Sequence, residues 1–294
     1  MISMTKKKRD MRTELEKQAE IKYFEMADGT KVRVLDFNLA ENPNKYTLFF
    51  IPGFITVFQS WQKALEILTK EFRVFYFESR EKFSSIFSSR KIERKTDLHN
   101  MAHDIKEVIE QLGLDDTDYI TVCSSTGGTI EIEALSEGWL KPKGAVMVGP
   151  TVEYHIKWFI SAGVSVLPEF VKWLVMPFTK WVLRRAYVDK EAEPEQYDKY
   201  VRALEDGVLR RMRRTLRQMK GYNCWDMLPK INTKCLLIGA SKDKMHASEE
   251  TIRANELIPK SRHMDLDSNK AAHEQPLIDA IKEFIIEIEK EEKK

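Results

Sequence analysis

The chain has 294 residues, 43% of them hydrophobic and 32% charged, which is enough apolar material for one large α/β core plus a modest insertion. That balance excludes disordered and fibrous classes, and a net charge of +2 is too even for a chain-wide nucleic-acid surface. Three cysteines (Cys123, Cys224 and Cys235) leave an odd one over, lack metal-ligand spacing and follow no secretory signal pattern, so a reducing, cytoplasmic compartment is expected.

Residues 1–20 form a charged segment containing Lys6-Lys7-Lys8-Arg9. It reads as a solvated or frayed end rather than an anchor for an acidic surface. Two runs follow, Ile21 to Met26 and Lys31 to Phe37, alternating apolar and polar residues around Ala27-Asp28-Gly29-Thr30, the pattern of a hairpin. Tyr46 to Ile51 and Arg73 to Phe77 are continuous apolar runs, as expected of strands buried on both faces. Helical spacing covers Gln59 to Leu68 and Thr96 to Leu112.

Tyr119 to Ser124 is a further apolar run, ending abruptly in Ser125-Thr126-Gly127-Gly128 before a helical pattern begins. A strand, a sharp turn and a helix with Ser125 at the tip is the geometry of a nucleophile elbow, whose following amide helps bind an oxyanion. Small residues are needed two before and two after the serine, and Cys123 and Gly127 occupy those places. Serine, threonine and glycine also dominate ordinary turns, so the partners that follow must decide.

Gly144 to Val148 and Cys235 to Gly239 are buried-type strands, His263 to Leu266 a last one, and Pro276 to Glu289 a closing amphipathic helix. Strands alternating with helices after an initial hairpin imply a mostly parallel, doubly wound sheet. Residues 151–223 interrupt it with apolar stretches around Trp158, Phe159, Phe170, Trp173 and Phe178. A membrane span needs about twenty uninterrupted apolar residues. Pro168, Glu169, Lys172, Pro177 and Lys180 break the run.

With these motifs in place the chain resembles the α/β-hydrolase superfamily over residues 21–150 and 224–294. Three motifs carry the resemblance. Ile51-Pro52-Gly53-Phe54 is similar to the family's oxyanion loop, which implies that the amides of Phe54 and Thr126 bind the developing charge. Gly239-Ala240-Ser241-Lys242-Asp243 is similar to the turn that carries the triad acid, implying Asp243. The third motif, a histidine loop followed by Glu-x-Pro, is altered: anchoring on Glu274-Gln275-Pro276 puts Asn269, beside Lys270, where the base should stand. His273, about one helical turn further on, combines the right chain order with a loop-to-helix position and is the candidate base. The turn after the fourth strand also departs from the family: Glu78-Ser79-Arg80-Glu81-Lys82-Phe83-Ser84-Ser85 keeps the arginine and the closing serine but lacks both glycines.

The resemblance makes residues 151–223 a helical cap. Trp158, Phe159, Phe170, Trp173 and Phe178 would then line a pocket for an apolar acyl substrate, with peripheral membrane contact as a lesser reading. The basic stretch Arg210 to Lys220 reads as an amphipathic helix with a solvated face, or more sharply as a site for an anionic group. The implied activity is hydrolysis of an ester or thioester by Ser125, His273 and Asp243, without metal or organic cofactor and without nucleic acid. Two alternatives remain open: a binding or scaffold protein that has lost its base, and acyl transfer or carbon–carbon bond hydrolysis on the same scaffold.

Overall fold

The computed structural model describes residues 10–155, 176–178, 180–181, 184, 194–241 and 248–293. Their strands are β1 (Glu20–Glu25), β2 (Lys31–Phe37), β3 (Thr47–Ile51), β4 (Val74–Glu78), β5 (Tyr119–Ser124), β6 (Gly144–Val148), β7 (Cys235–Gly239) and β8 (Ser261–Asp265). They form one eight-stranded sheet in the order β1-β2-β4-β3-β5-β6-β7-β8. β1 and β2 pair antiparallel, as do β2 and β4, and every other pairing is parallel.

The continuous apolar runs are explained by the two layers they serve. Phe49, Ile51, Cys123, Ala145, Met147, Cys235 and Leu237 enter one core with helices α4 (Leu98–Leu112) and α5 (Thr126–Ser136). Their neighbours Leu48, Phe50, Val122, Val146, Leu236 and Ile238 enter a second core with helix α2 (Gln62–Leu68) and a closing helix, Gln275–Glu292. Alternate side chains point to opposite faces of a strand, so a strand covered on both sides must be apolar throughout.

Exposure alternates only along β1, where Ile21 and Tyr23 face outward and Lys22 and Phe24 are half-buried; β2 lies between β1 and β4 and is buried from Val32 to Phe37. Its polar residues are paired instead of solvated. Arg33 donates to both Glu78 oxygens at 2.8 Å, and the Asp36 carboxylate accepts from Lys22 at 2.6 Å and Arg73 at 3.0 Å. The helix expected from Gln59 begins instead as a 3-10 turn, Phe58–Ser60, before α2.

Two short helices, α1 (Glu14–Gln18) and α3 (Arg90–Glu93), lie outside this alternation. The remaining described helices are α6 (Pro194–Asp206), α7 (Leu209–Met219), α8 (Ser248–Leu257) and the closing α9 (Gln275–Glu292). The chain leaves the core after β6 and returns before β7 at one place: Tyr154 N–H donates to Tyr222 at 3.1 Å and Cys224 N–H to Val152 at 2.9 Å. Among the described residues no helix is long and apolar enough to cross a membrane.

One core group couples stability to pH. The Glu131 side chain, on α5, is fully buried beside Cys123 and Thr121, away from any basic group among the described residues. Burial raises its pKa to about 7. Between the ordinary glutamate value and about 7 the folded state holds a proton that the unfolded state releases, so stability falls as pH rises through that window. Glu131→Gln is therefore expected to match wild type near pH 4.5 and to exceed it above pH 7 by about 3 kcal/mol. Urea unfolding at pH 5, 7 and 8.5 checks this; a stability difference independent of pH would refute it.

Candidate active site

The elbow forms because β5 runs directly into α5. Ser125, between them, has φ 47° and ψ −121°, a positive φ that is sparsely populated for a residue with a side chain. Such a conformation costs about 1–3 kcal/mol and persists only where the surroundings over-determine it. Here the Ser125 N–H donates to Val148 at 3.2 Å, and the Ser125 carbonyl accepts from Gly128 at 2.9 Å, Thr129 at 3.3 Å and Thr151 at 3.2 Å.

The small residues around the serine are required by close packing. A Cβ on Gly127 would stand 2.1 Å from the Ile51 carbonyl oxygen, and one on Gly128 would stand 2.7 Å from Pro150 Cβ. Cys123 is buried, its Sγ 3.4 Å from the Gly128 Cβ position. Burial raises its thiol pKa well above the ordinary value, so it stays protonated and does not compete with the serine as a nucleophile.

The oxyanion loop crosses in front of this turn. Gly53 N–H donates to Ser124 Oγ at 3.2 Å, and a Cβ on Gly53 would lie 3.1 Å from Ser125 Cβ. Among the described residues neither the Phe54 nor the Thr126 amide has a hydrogen-bond partner. Thr126 also begins α5, where orphan amides and the helix dipole favour negative charge. Beside the loop, a crevice of about 30 Å³ is lined by Ile55, Glu81, Lys82, Phe83 and Arg202, room for about two water molecules.

The proposed proton relay is placed only in part. The Ser125 hydroxyl meets Thr151 Oγ1 at 3.3 Å, and no bond joins it to His273. His273 ends a 3-10 turn, Ala271–His273, before α9; its Nδ1 lies 2.8 Å from the Asn269 carbonyl and its ring 4.2 Å from that of Trp61. Because a carbonyl only accepts, Nδ1 is the donor in this bond. Asp243 lies outside the described residues, as do Trp158, Phe159, Phe170 and Trp173. Phe178 is 65% exposed and stacks on Trp181 at 5.8 Å. His99 and His103, both on α4, bond Glu133 on α5 and Glu107 on α4.

Three contributors escaped the sequence reading. Thr151 holds Ser125 through both its hydroxyl and its amide, and the chain just beyond it is fixed by Glu250, which accepts from Val152 and Glu153. Asp265 at the end of β8 accepts from Ser241 at 3.0 Å and Asp267 at 2.9 Å, tying together the two loops that carry the acid and base candidates. Lys82 reaches the oxyanion loop. The sequence carries no signal for it beyond the loss of the two glycines on either side, at Glu81 and Phe83.

Along the first two turns of the basic helix, Arg211 and Arg214 meet protein groups while Arg210 pairs at a half-exposed position. Arg210 and Arg211 pair with Glu93 at 2.9 and 2.7 Å, Arg211 also bonds the carbonyls of Lys82 and Ser85, and Arg214 that of Thr96 at 3.0 Å.

A family model described as serine aminopeptidase, S33, matches residues 52–275, which include the oxyanion loop, the elbow and both relay loops. The chain belongs to this α/β-hydrolase family. No curated protein matches the hydrolase in sequence. Solved structures share its fold at low identity. The enol-lactonase of Burkholderia xenovorans LB400 is 13% identical, with a TM-score of 0.69 over 91% of this chain and 99% of that one. The thermophilic esterase of Thermogutta terrifontis is 17% identical, with a TM-score of 0.67 over 92% and 99%. An esterase from Exiguobacterium antarcticum is 18% identical, with a TM-score of 0.66 over 90% and 97%.

Proposed function

We propose that this α/β hydrolase cleaves a carboxylic ester or thioester with an apolar acyl group, using Ser125 as nucleophile. The observation that carries the reading is the strained elbow itself: Ser125 at φ 47°, with the amides of Phe54 and Thr126 unpartnered among the described residues. In this reading Ser125 Oγ attacks the carbonyl carbon while the amides hold the oxyanion, and His273 takes the hydroxyl proton at Nε2 and returns it to the leaving group. To orient the imidazole, Asp243 would have to replace the Asn269 carbonyl at Nδ1, and water then releases the acyl group. Formation of the Michaelis complex would draw Ser125 from Thr151 towards the base, since such bonds are often long or unmade without substrate. The lactonase and esterases that share the fold are named for ester-type bonds and the family model for an aminopeptidase, so an amide substrate is the control for the ester assignment.

The Ser125–Thr151 bond also favours a second reading, a binding protein whose serine is not activated. Fluorophosphonate labelling with peptide mapping separates the two. The hydrolase reading expects labelling at Ser125, none in Ser125→Ala, and a rate about 10²- to 10⁴-fold lower in His273→Ala. A well-folded wild type that takes no label would establish the second reading.

A further inference from the structure

The loop carrying the Phe54 amide is held by one charged side chain. The Lys82 side chain is only 10% exposed, and its Nζ donates to the carbonyls of Gly53 at 2.9 Å and Thr56 at 3.0 Å. Between those carbonyls stands Ile55 at φ 50°, a strained conformation for a β-branched residue. The turn's own backbone supplies a single bond, Thr56 N–H to Gly53 at 3.2 Å. Lys82 is itself fixed from two sides: Glu81 lies 3.3 Å from its ammonium, and Arg211 of α7 bonds its carbonyl.

The direction of the Gly53 carbonyl decides the direction of the Phe54 N–H, because the two are antiparallel across a planar trans peptide. With the carbonyl turned to Lys82, the amide points to the opposite side. A flipped peptide would present an oxygen, the wrong end of the dipole, to a developing oxyanion.

We propose that Lys82 is a positioning residue which locks the Gly53–Phe54 peptide in the orientation that aims the Phe54 amide at the substrate oxygen. The inference rests on the serine hydrolase reading above. Its effect is confined to charge that develops in the transition state, so it acts on kcat and leaves KM nearly unchanged.

The test uses the full chain as wild type, Lys82→Met, Lys82→Arg and Ser125→Ala, with 4-nitrophenyl esters of graded chain length and a fluorophosphonate as probes. Lys82→Met is expected to lower both kcat and the Ser125 labelling rate about 10- to 100-fold, below the loss of an entire oxyanion donor, with KM changed less than about twofold. Lys82→Arg, which can donate to both carbonyls, is expected to recover most of the rate. Lys82→Gln carries the same expectation as Lys82→Met if the latter is too unstable to purify. Rates within about twofold of wild type in Lys82→Met overturn the inference and leave the hydrolase reading standing. If wild type itself is unreactive, the hydrolase reading fails. Crystal structures of wild type and Lys82→Met then decide the inference: an unmoved Gly53 carbonyl overturns it, and a reoriented peptide supports it.

Discussion

Gly127→Ala is expected to destroy the elbow. The added Cβ would stand 2.1 Å from the Ile51 carbonyl oxygen and 2.9 Å from its carbon, and both belong to the backbone of the adjacent central strand. Neither β3 nor α5 can yield without breaking its own hydrogen bonds, so the helix start must lift away from the sheet. Overpacking a core with a movable neighbour costs about 1–3 kcal/mol, and a backbone neighbour puts this variant at or above about 3 kcal/mol. Fluorophosphonate labelling of Ser125 should fall more than about 100-fold, because Thr126 moves with the helix. Gly53→Ala is the informative contrast. Its contacts, 3.1 Å to Ser125 Cβ and 3.2 Å to Thr56 Oγ1, include side-chain atoms that can shift, and a loss of about 1 kcal/mol is expected. Urea unfolding of both variants checks the ranking, and equal losses would show that the Ile51 approach is not limiting.

The second large effect is expected at the contact between α1 and α6. Arg202 is 5% exposed and donates through both terminal nitrogens to Glu16, at 2.6 and 2.7 Å; Glu16 is 1% exposed. The same guanidinium bonds Gln59 Oε1 at 2.8 Å and Asp206 at 3.2 Å, so one side chain joins the N-terminal helix, the turn before α2 and the insertion. Arg202→Ala leaves the Glu16 carboxylate buried without its partner, a change worth about 3–5 kcal/mol. Hydrogen exchange should show protection lost in Glu14–Gln18 and Pro194–Asp206 together. Replacing both partners, as Glu16→Leu with Arg202→Met, should recover most of the loss, since no uncompensated charge remains. Loss of protection in α6 alone would mean that α1 is held by other contacts.

This contact revises the expectation of a solvated or frayed N-terminus. Lys6 to Arg9 lie outside the described residues, but Leu15 and Glu16 of α1 are buried. A single glutamate in a charged run gives no sign that an arginine 186 positions away will cover it.

The parts legible in the sequence were those set by local physics. Strand periodicity gave seven of the eight strands within one residue, because a strand buried on both faces leaves no room for polar residues; β8, which starts two residues before its expected range, is the least buried of the parallel strands. The abrupt change from Tyr119–Ser124 to glycines marked the elbow, because only small residues let a helix start against a strand. The chain order of serine, acid turn and histidine loop suggested the superfamily. Short helices such as α3 and α8 were missed, having few residues over which a helical period can be seen.

What the tertiary structure decided is who meets whom. The sequence offered His273 as the partner of Ser125; folding brings Thr151 to that hydroxyl and sets the His273 ring against Trp61. It offered a basic helix, and the fold turns Arg210, Arg211 and Arg214 onto Glu93 and three carbonyls of the core. It gave the turn after β4 as one that lacks its two glycines, and the fold uses Lys82 of that turn to bond the carbonyls of Gly53 and Thr56. Hydrophobic pattern and backbone sterics act between near neighbours and are written into consecutive residues. Ion pairs and hydrogen bonds join groups separated by tens to hundreds of positions, and they depend on a geometry that exists only after the sheet has assembled.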